Sequence, residues 1–162
     1  MDHKNGTGNT RAKIVTKNGV RAVKLSGWDL SANESFAYGS LCKLEGVNRV
    51  KVQPGTTLTF EVCAVNKLGR YVGIDLDFEG GNLRDSGALD QNGLRIHPAW
   101  PKSETTGEWV TVTCDLSERC LGRVIKDIRI AYDHPENKGA FSAYIRNISI
   151  QTPGEEKGTT HA

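Results

Sequence analysis

Along most of the chain the apolar residues recur at every second position, the spacing that sends alternate side chains to the two faces of a β-strand. The clearest case is residues 71–79, where Val72, Ile74, Leu76 and Phe78 alternate with Tyr71, Gly73, Asp75, Asp77 and Glu79. This predicts an antiparallel strand with one buried face and its acids toward solvent. Residues 57–65 repeat the pattern with Leu58, Phe60, Val62 and Ala64 inward, and residues 109–115 do so with Val110, Val112, Cys114 and the following Leu116. Residues 125–133 carry Ile128, Ile130 and Tyr132 on one parity. In residues 140–151 the parity switches between Ile145 and Ile148, which predicts a bulge near Arg146-Asn147. No segment has the period of a helix of useful length.

Turn chemistry separates these runs. Lys17-Asn18-Gly19-Val20 signals a hairpin whose type I′ turn needs positive φ at both central residues. Its register sets Thr16 opposite Arg21, Ile14 opposite Val23 and Ala12 opposite Leu25, so that Ile14, Val23, Ala12 and Leu25 should share a buried face. An extended stretch with Phe36, Tyr38 and Leu44 leads to Val50-Lys51-Val52; Pro54-Gly55 makes the next turn, and Asn66-Lys67-Leu68-Gly69 reverses the chain again. Eight or so short strands of this kind indicate an all-β, antiparallel β-sandwich, with the jelly roll as its expected version. Residues 1–10 and 153–162 are polar and read as tails, leaving 11–152 as the folded module.

Composition narrows the functional classes. A chain of 162 residues, 37% hydrophobic and 25% charged, suits one domain and excludes a large multidomain enzyme. No apolar run approaches the length of a membrane span. The net charge of +2 arises from 21 basic and 19 acidic residues mixed along the chain, without a basic block for phosphates, so neither nucleic acid nor membrane is an expected partner. The start Met1-Asp2-His3-Lys4 has no signal-peptide core, which fits either a cytoplasmic protein or a module of a longer secreted chain. Cys42, Cys63, Cys114 and Cys120 contain no zinc-type pair; they read as free, mostly buried thiols, with a short Cys114–Cys120 loop as the alternative.

Residues 80–107 are too long for a hairpin connection, and excursions of that length are usually functional or disordered. Leu83, Leu89, Leu94, Ile96 and Trp100 punctuate it and argue for order. Its polar residues Arg84, Asp85, Asp90, Gln91 and Asn92, with His97, either fix a sugar through hydrogen bonds or satisfy the loop's own backbone. Trp100, between Ala99 and Pro101, offers a flat stacking face. Trp28 sits where the hairpin gives way to a turn and has the same two uses, packing or stacking. Trp109 has the parity opposite to Val110 and Val112. Residues 133–139 form a further loop that either joins a ligand site or is a solvated turn.

Asp75 and Asp77 share a strand face roughly 7 Å apart, a spacing compatible with an inverting glycosidase, although any solvent-facing strand with two acids produces it. Asp75-Leu76-Asp77-Phe78-Glu79-Gly80 echoes the start of a calcium loop, but the position for its closing glutamate is Ser86. A helix–loop–helix calcium site is therefore rejected. There is no Gly-x-Ser-x-Gly elbow, and His97 and His134 lack a motif-linked partner.

One long, ordered set of residues resembles a known group. It comprises Ile74-Asp75-Leu76-Asp77-Phe78; Asn82-Leu83-Arg84-Asp85-Ser86-Gly87-Ala88-Leu89-Asp90-Gln91-Asn92-Gly93; His97-Pro98; Glu108-Trp109-Val110-Thr111-Val112; Cys114-Asp115-Leu116; Ile130-Ala131-Tyr132-Asp133; and Gly139-Ala140-Phe141-Ser142-Ala143-Tyr144-Ile145. Together they resemble galactose-binding-like β-sandwich domains of bacterial glycoside hydrolases, including segments beside family 92 α-mannosidase-type catalytic domains. The resemblance implies a non-catalytic carbohydrate-binding module of a secreted, multimodular enzyme, extracellular or at the cell surface, monomeric, covalently linked to a catalytic domain, with calcium as a structural ion. The glycan contacts it suggests are Trp100, Arg84, Asp85, Asp90, Gln91, His97 and Trp28, on loops 80–107 and 133–139. Arg146 departs from the acidic residue that similar domains commonly place after Tyr-Ile. The competing expectation is an accessory domain that packs against its catalytic neighbour without binding sugar; a small glycosidase using Asp75 and Asp77 is a third.

Overall fold

A computed structural model describes residues 1–134 and 137–153. Its ten strands are β1 (His3–Asn5), β2 (Thr7–Lys17), β3 (Val20–Asp29), β4 (Phe36–Lys43), β5 (Val50–Lys51), β6 (Thr57–Ala64), β7 (Val72–Phe78), β8 (Trp109–Asp115), β9 (Val124–Asp133) and β10 (Gly139–Gln151). They form two antiparallel sheets. In the first, β1 pairs with β4 and β4 with β9, while β9 also pairs with β5 and β7. The second runs β2-β3-β10-β6-β8. From β5 onward each successive strand lies in the opposite sheet, the jelly-roll style of connection. Helix is confined, among the described residues, to one turn at Ser117–Cys120 and two 3-10 turns.

The inward parities meet between the sheets. Val72, Ile74, Leu76 and Phe78 of β7, Leu58, Phe60 and Val62 of β6, and Ile130 and Tyr132 of β9 are buried together. Tyr132 of the first sheet stacks on Phe141 of the second, with ring centroids 3.8 Å apart. The Tyr132 hydroxyl donates to Asp29 Oδ2 (2.5 Å), which also accepts from Ser35 Oγ (2.6 Å), so this buried carboxylate fastens the β3–β4 connection to the core. The hairpin register is the expected one: Ala12 opposite Leu25, Ile14 opposite Val23 and Thr16 opposite Arg21, around Asn18 (φ 55°) and Gly19 (φ 79°). The expected bulge is present too, as a register shift between Arg146 and Ser149 with Asn147 at φ 55°.

Three expectations change. Ile14 is 65% exposed and Ala12 is exposed, because β2 is the edge strand of its sheet; of that quartet Leu25 is buried in the core and Val23 packs against it partly buried. Residues 1–10 are not a tail: β1 lies along β4, the His3 ring packs on Phe36 and Tyr38, and residues from Thr7 onward extend the hairpin. Asp75, expected at solvent, is buried, because the 80–107 excursion covers that side of β7. The cysteines are as expected: all four are free, with Cys63, Cys114 and Cys120 buried and Cys42 exposed, and the alternative Cys114–Cys120 bridge is not formed. Of the expected C-terminal tail, residues 154–162 lie outside the described residues.

Candidate functional site

The excursion after β7 is a wall rather than a protruding loop. Its first residues retrace β7, with Phe78 N–H donating to the Gly81 carbonyl (2.9 Å) and Leu83 N–H to the Leu76 carbonyl (2.8 Å). Leu83, Ala88 and Ile96 enter the core. Farther on, Asp90 bridges to Cys114, and the Gln91 amide acts as a substitute peptide on the edge of β8: Nε2 donates to the Thr111 carbonyl (2.7 Å) and Oε1 accepts from Thr113 N–H (2.8 Å). Asp90 Oδ1 meanwhile accepts the backbone N–H groups of Asn92 (2.8 Å) and Leu94 (3.0 Å). The excursion thus runs from one sheet to the other and closes the side of the sandwich. Asp90 and Gln91 serve that closure, the self-satisfying use that Asp and Asn-like groups favour in loops.

The remaining loop residues converge on the outer face of the first sheet. Arg84 Nη1 donates to Asp75 Oδ2 (2.6 Å) while its backbone N–H donates to Oδ1 (2.9 Å). Its guanidinium lies 4.6 Å from the centroid of Tyr38, whose hydroxyl donates to Asp133 Oδ2 (2.8 Å). His97 Nε2 stands 3.7 Å from the same Asp133 oxygen, and His97 Nδ1 accepts from Ala99 N–H (3.0 Å). That acceptor role assigns the imidazole proton to Nε2, facing Asp133. Trp100 packs edge-on to His97 (5.7 Å between centroids) and carries the Arg95 guanidinium over its ring at 5.2 Å, yet stays 38% exposed. Beneath them Lys102 Nζ donates to the carbonyls of Arg95 (3.0 Å) and His97 (3.1 Å), tying the turn that presents both residues.

Burial sets the charges here. Desolvation pushes the Asp133 carboxyl up to about 6, with the negative charges of Glu34 and Asp85 adding to the effect and Tyr38 and Arg84 opposing it. Desolvation lowers His97, so the imidazole is neutral at pH 7, and it lowers Lys102 to about 8. Asp75 is raised, burial outweighing the Arg84 contacts. An exposed indole, a neutral imidazole N–H, an exposed carboxylate at Asp85 and a partly buried one at Asp133 make a shallow patch of stacking plane and mixed donors and acceptors.

Of the residues expected at a site, Trp100, His97, Arg84 and Asp85 are brought together, with Arg84 engaged inward. Asp90 and Gln91 lie toward β8, and Trp28 projects from the outer face of the other sheet. Tyr38, Arg95 and Lys102 were missed. Tyr38 joins the site only because β4 pairs with β9, a long-range match that no local pattern announces. In the 133–139 loop, Asp133 belongs to the patch, while Pro135 and Glu136 lie outside the described residues. Among the described residues no three His, Cys, Asp or Glu side chains are grouped to hold a metal ion. Nor do Asp75 and Asp77 form a free carboxylate pair, since Asp75 is sealed against Arg84 and Asp77 lies 3.8 Å from Arg129.

No protein-family model matches the chain, and no curated protein sequence matches it. Solved structures do. A structure concerning the promiscuous specificity of carbohydrate-binding modules from the β-sandwich superfamily is 15% identical, with a TM-score of 0.51 over 93% of this chain and 56% of that one. A structure determined with xylogluco-oligosaccharide is 13% identical, with a TM-score of 0.53 over 90% of this chain and 36% of its own length. What the chain shares with these structures is the fold, an antiparallel β-sandwich. The glycoside hydrolase domain of Endo-D from Streptococcus pneumoniae R6 contains a similar unit: 17% identity, a TM-score of 0.52, 91% of this chain but 21% of that one. The chain therefore spans from about a fifth to just over half the length of these three structures.

Proposed function

We propose that this chain is a non-catalytic carbohydrate-binding module of a secreted, multimodular glycoside hydrolase, and that it holds glycan at the patch formed by Trp100, His97, Asp85 and Asp133. The observation that carries this reading is the half-exposed Trp100 indole, fixed by Arg95 and His97 at the rim of a cluster of polar and charged groups. Such a plane covers the apolar face of a sugar ring while neighbouring carboxylates and N–H groups take its hydroxyls. The burial and pairing of Asp75 support a binding role over hydrolysis by Asp75 and Asp77, because the pair does not present two free carboxyls. Affinity electrophoresis through galactomannan and xyloglucan tests the reading. Retardation of the chain in one of them, lost in Trp100→Ala with melting unchanged, is the expected result; equal retardation of the variant, or none of the native chain across a broad panel of neutral glycans, overturns it.

A further inference from the structure

The opposite outer face, on the second sheet, collects cations that are scattered in the sequence. Lys13 pairs with Lys24 and Arg11 with Ser26 across β2 and β3, so Arg11, Lys13 and Lys17, at alternate positions, point outward with Lys24. Lys17 and Lys24 hold their ammonium groups 5.0 and 5.6 Å from the ring centroid of Tyr144 on β10. None of the four is in an ion pair with a carboxylate among the described residues. Glu61, on the same face, is already held by Arg146 Nε and Asn147 Nδ2, each at 2.8 Å. Beside these cations runs a trough of about 640 Å³, lined by Arg11, Lys24, Ser26, Asn66, Ser142 and Trp28. Trp28 is 51% exposed, and the Ser142 hydroxyl is buried without a hydrogen-bond partner.

We propose that this face is a second glycan site, for a polysaccharide bearing carboxylate or sulfate groups. Each part of the face has a counterpart in such a chain. Trp28 offers a stacking plane for a pyranose ring, the four unpaired cations meet the anionic substituents, and Ser142 gains the partner it lacks. The site shares no residue with the Trp100 patch, so it stands whether or not that patch binds sugar.

Isothermal titration calorimetry with polygalacturonate, dextran sulfate and neutral dextran tests it. The native chain should bind polygalacturonate, dextran sulfate or both, the stronger of the two identifying the anionic group, and should not bind dextran. Affinity should fall at least tenfold in Trp28→Ala and in the double variant Arg11→Gln/Lys24→Gln, each with an unchanged melting temperature, while Trp100→Ala binds as the native chain does. Binding to neither polyanion, equal heat with dextran, affinity unchanged in both trough variants, loss in Trp100→Ala, or binding to double-stranded DNA as tight as to polygalacturonate would overturn the proposal.

Discussion

Arg84 has two conceivable employments, to touch a ligand or to neutralise Asp75, and the geometry makes the second measurable. The Asp75 side chain is fully buried, with the guanidinium at 2.6 Å and the Arg84 backbone N–H at 2.9 Å. Replacing Arg84 by Met keeps the backbone donor and much of the stem but removes the countercharge. An uncompensated buried carboxylate costs about 3–5 kcal/mol, equivalent to roughly 10 °C of melting temperature for a domain of this size. The penalty should also depend on pH. Burial already raises Asp75 above its usual value of 3.8, and without Arg84 it must rise further. A carboxyl with a raised native pKa favours the fold when protonated and loses that contribution as pH climbs through the unfolded value toward the folded one. The deficit of Arg84→Met should therefore be small at pH 4 and full at pH 7. Urea unfolding followed by tryptophan fluorescence at both pH values, with Asp75→Asn/Arg84→Met added, measures it; the double variant should recover at least half the loss. A single variant within about 1 kcal/mol of native at pH 7, or a deficit equal at both pH values, would refute the reasoning.

Other outcomes follow from single residues. Gly69→Ala would set a Cβ 1.9 Å from the Ser142 carbonyl oxygen, so it should lower stability by about 3 kcal/mol or more in urea unfolding. Gly19→Ala meets no neighbour but keeps φ near 79°; about 1 kcal/mol is expected from thermal melts. Phe60→Ala, in the centre of the core, should cost about 3–5 kcal/mol in the same experiment. Because Asp133 rises from 3.8 to about 6 in the fold, its contribution to stability declines as pH rises from about 4 to about 6; Asp133→Asn should flatten that part of the stability–pH curve.

How much of this was legible in the sequence depends on the range of the determining interaction. The Asn18-Gly19 hairpin, its register and the Arg146–Asn147 bulge are written in adjacent residues, since turn type and strand parity are local properties. The inward faces of β6 and β7 were equally plain. Edge and centre were not: Ile14 has the parity of a core residue but sits on an edge strand, so its periodicity held while its burial did not. Asp75 fails for the converse reason. Its parity points outward, yet a segment that begins only two residues beyond β7 folds back over it. The site divides in the same way. Trp100 and His97 were visible as an aromatic and a histidine in a long loop, whereas Tyr38 and Asp133 meet through the pairing of β4 with β9, and the basic row of β2 emerges only when alternate residues share a face.

The most direct test of the binding claim uses the three tryptophans as reporters. In a nitrogen–proton correlation spectrum each indole N–H gives its own peak, assignable by substitution. Titration with a neutral glycan that retards the chain should shift the Trp100 indole peak and leave that of Trp109, whose Nε1 is buried under Arg146, in place. A titration that shifts the Trp28 or Trp109 peak while Trp100 stays fixed, or that moves none of the three, would contradict the assignment of this patch as the glycan site.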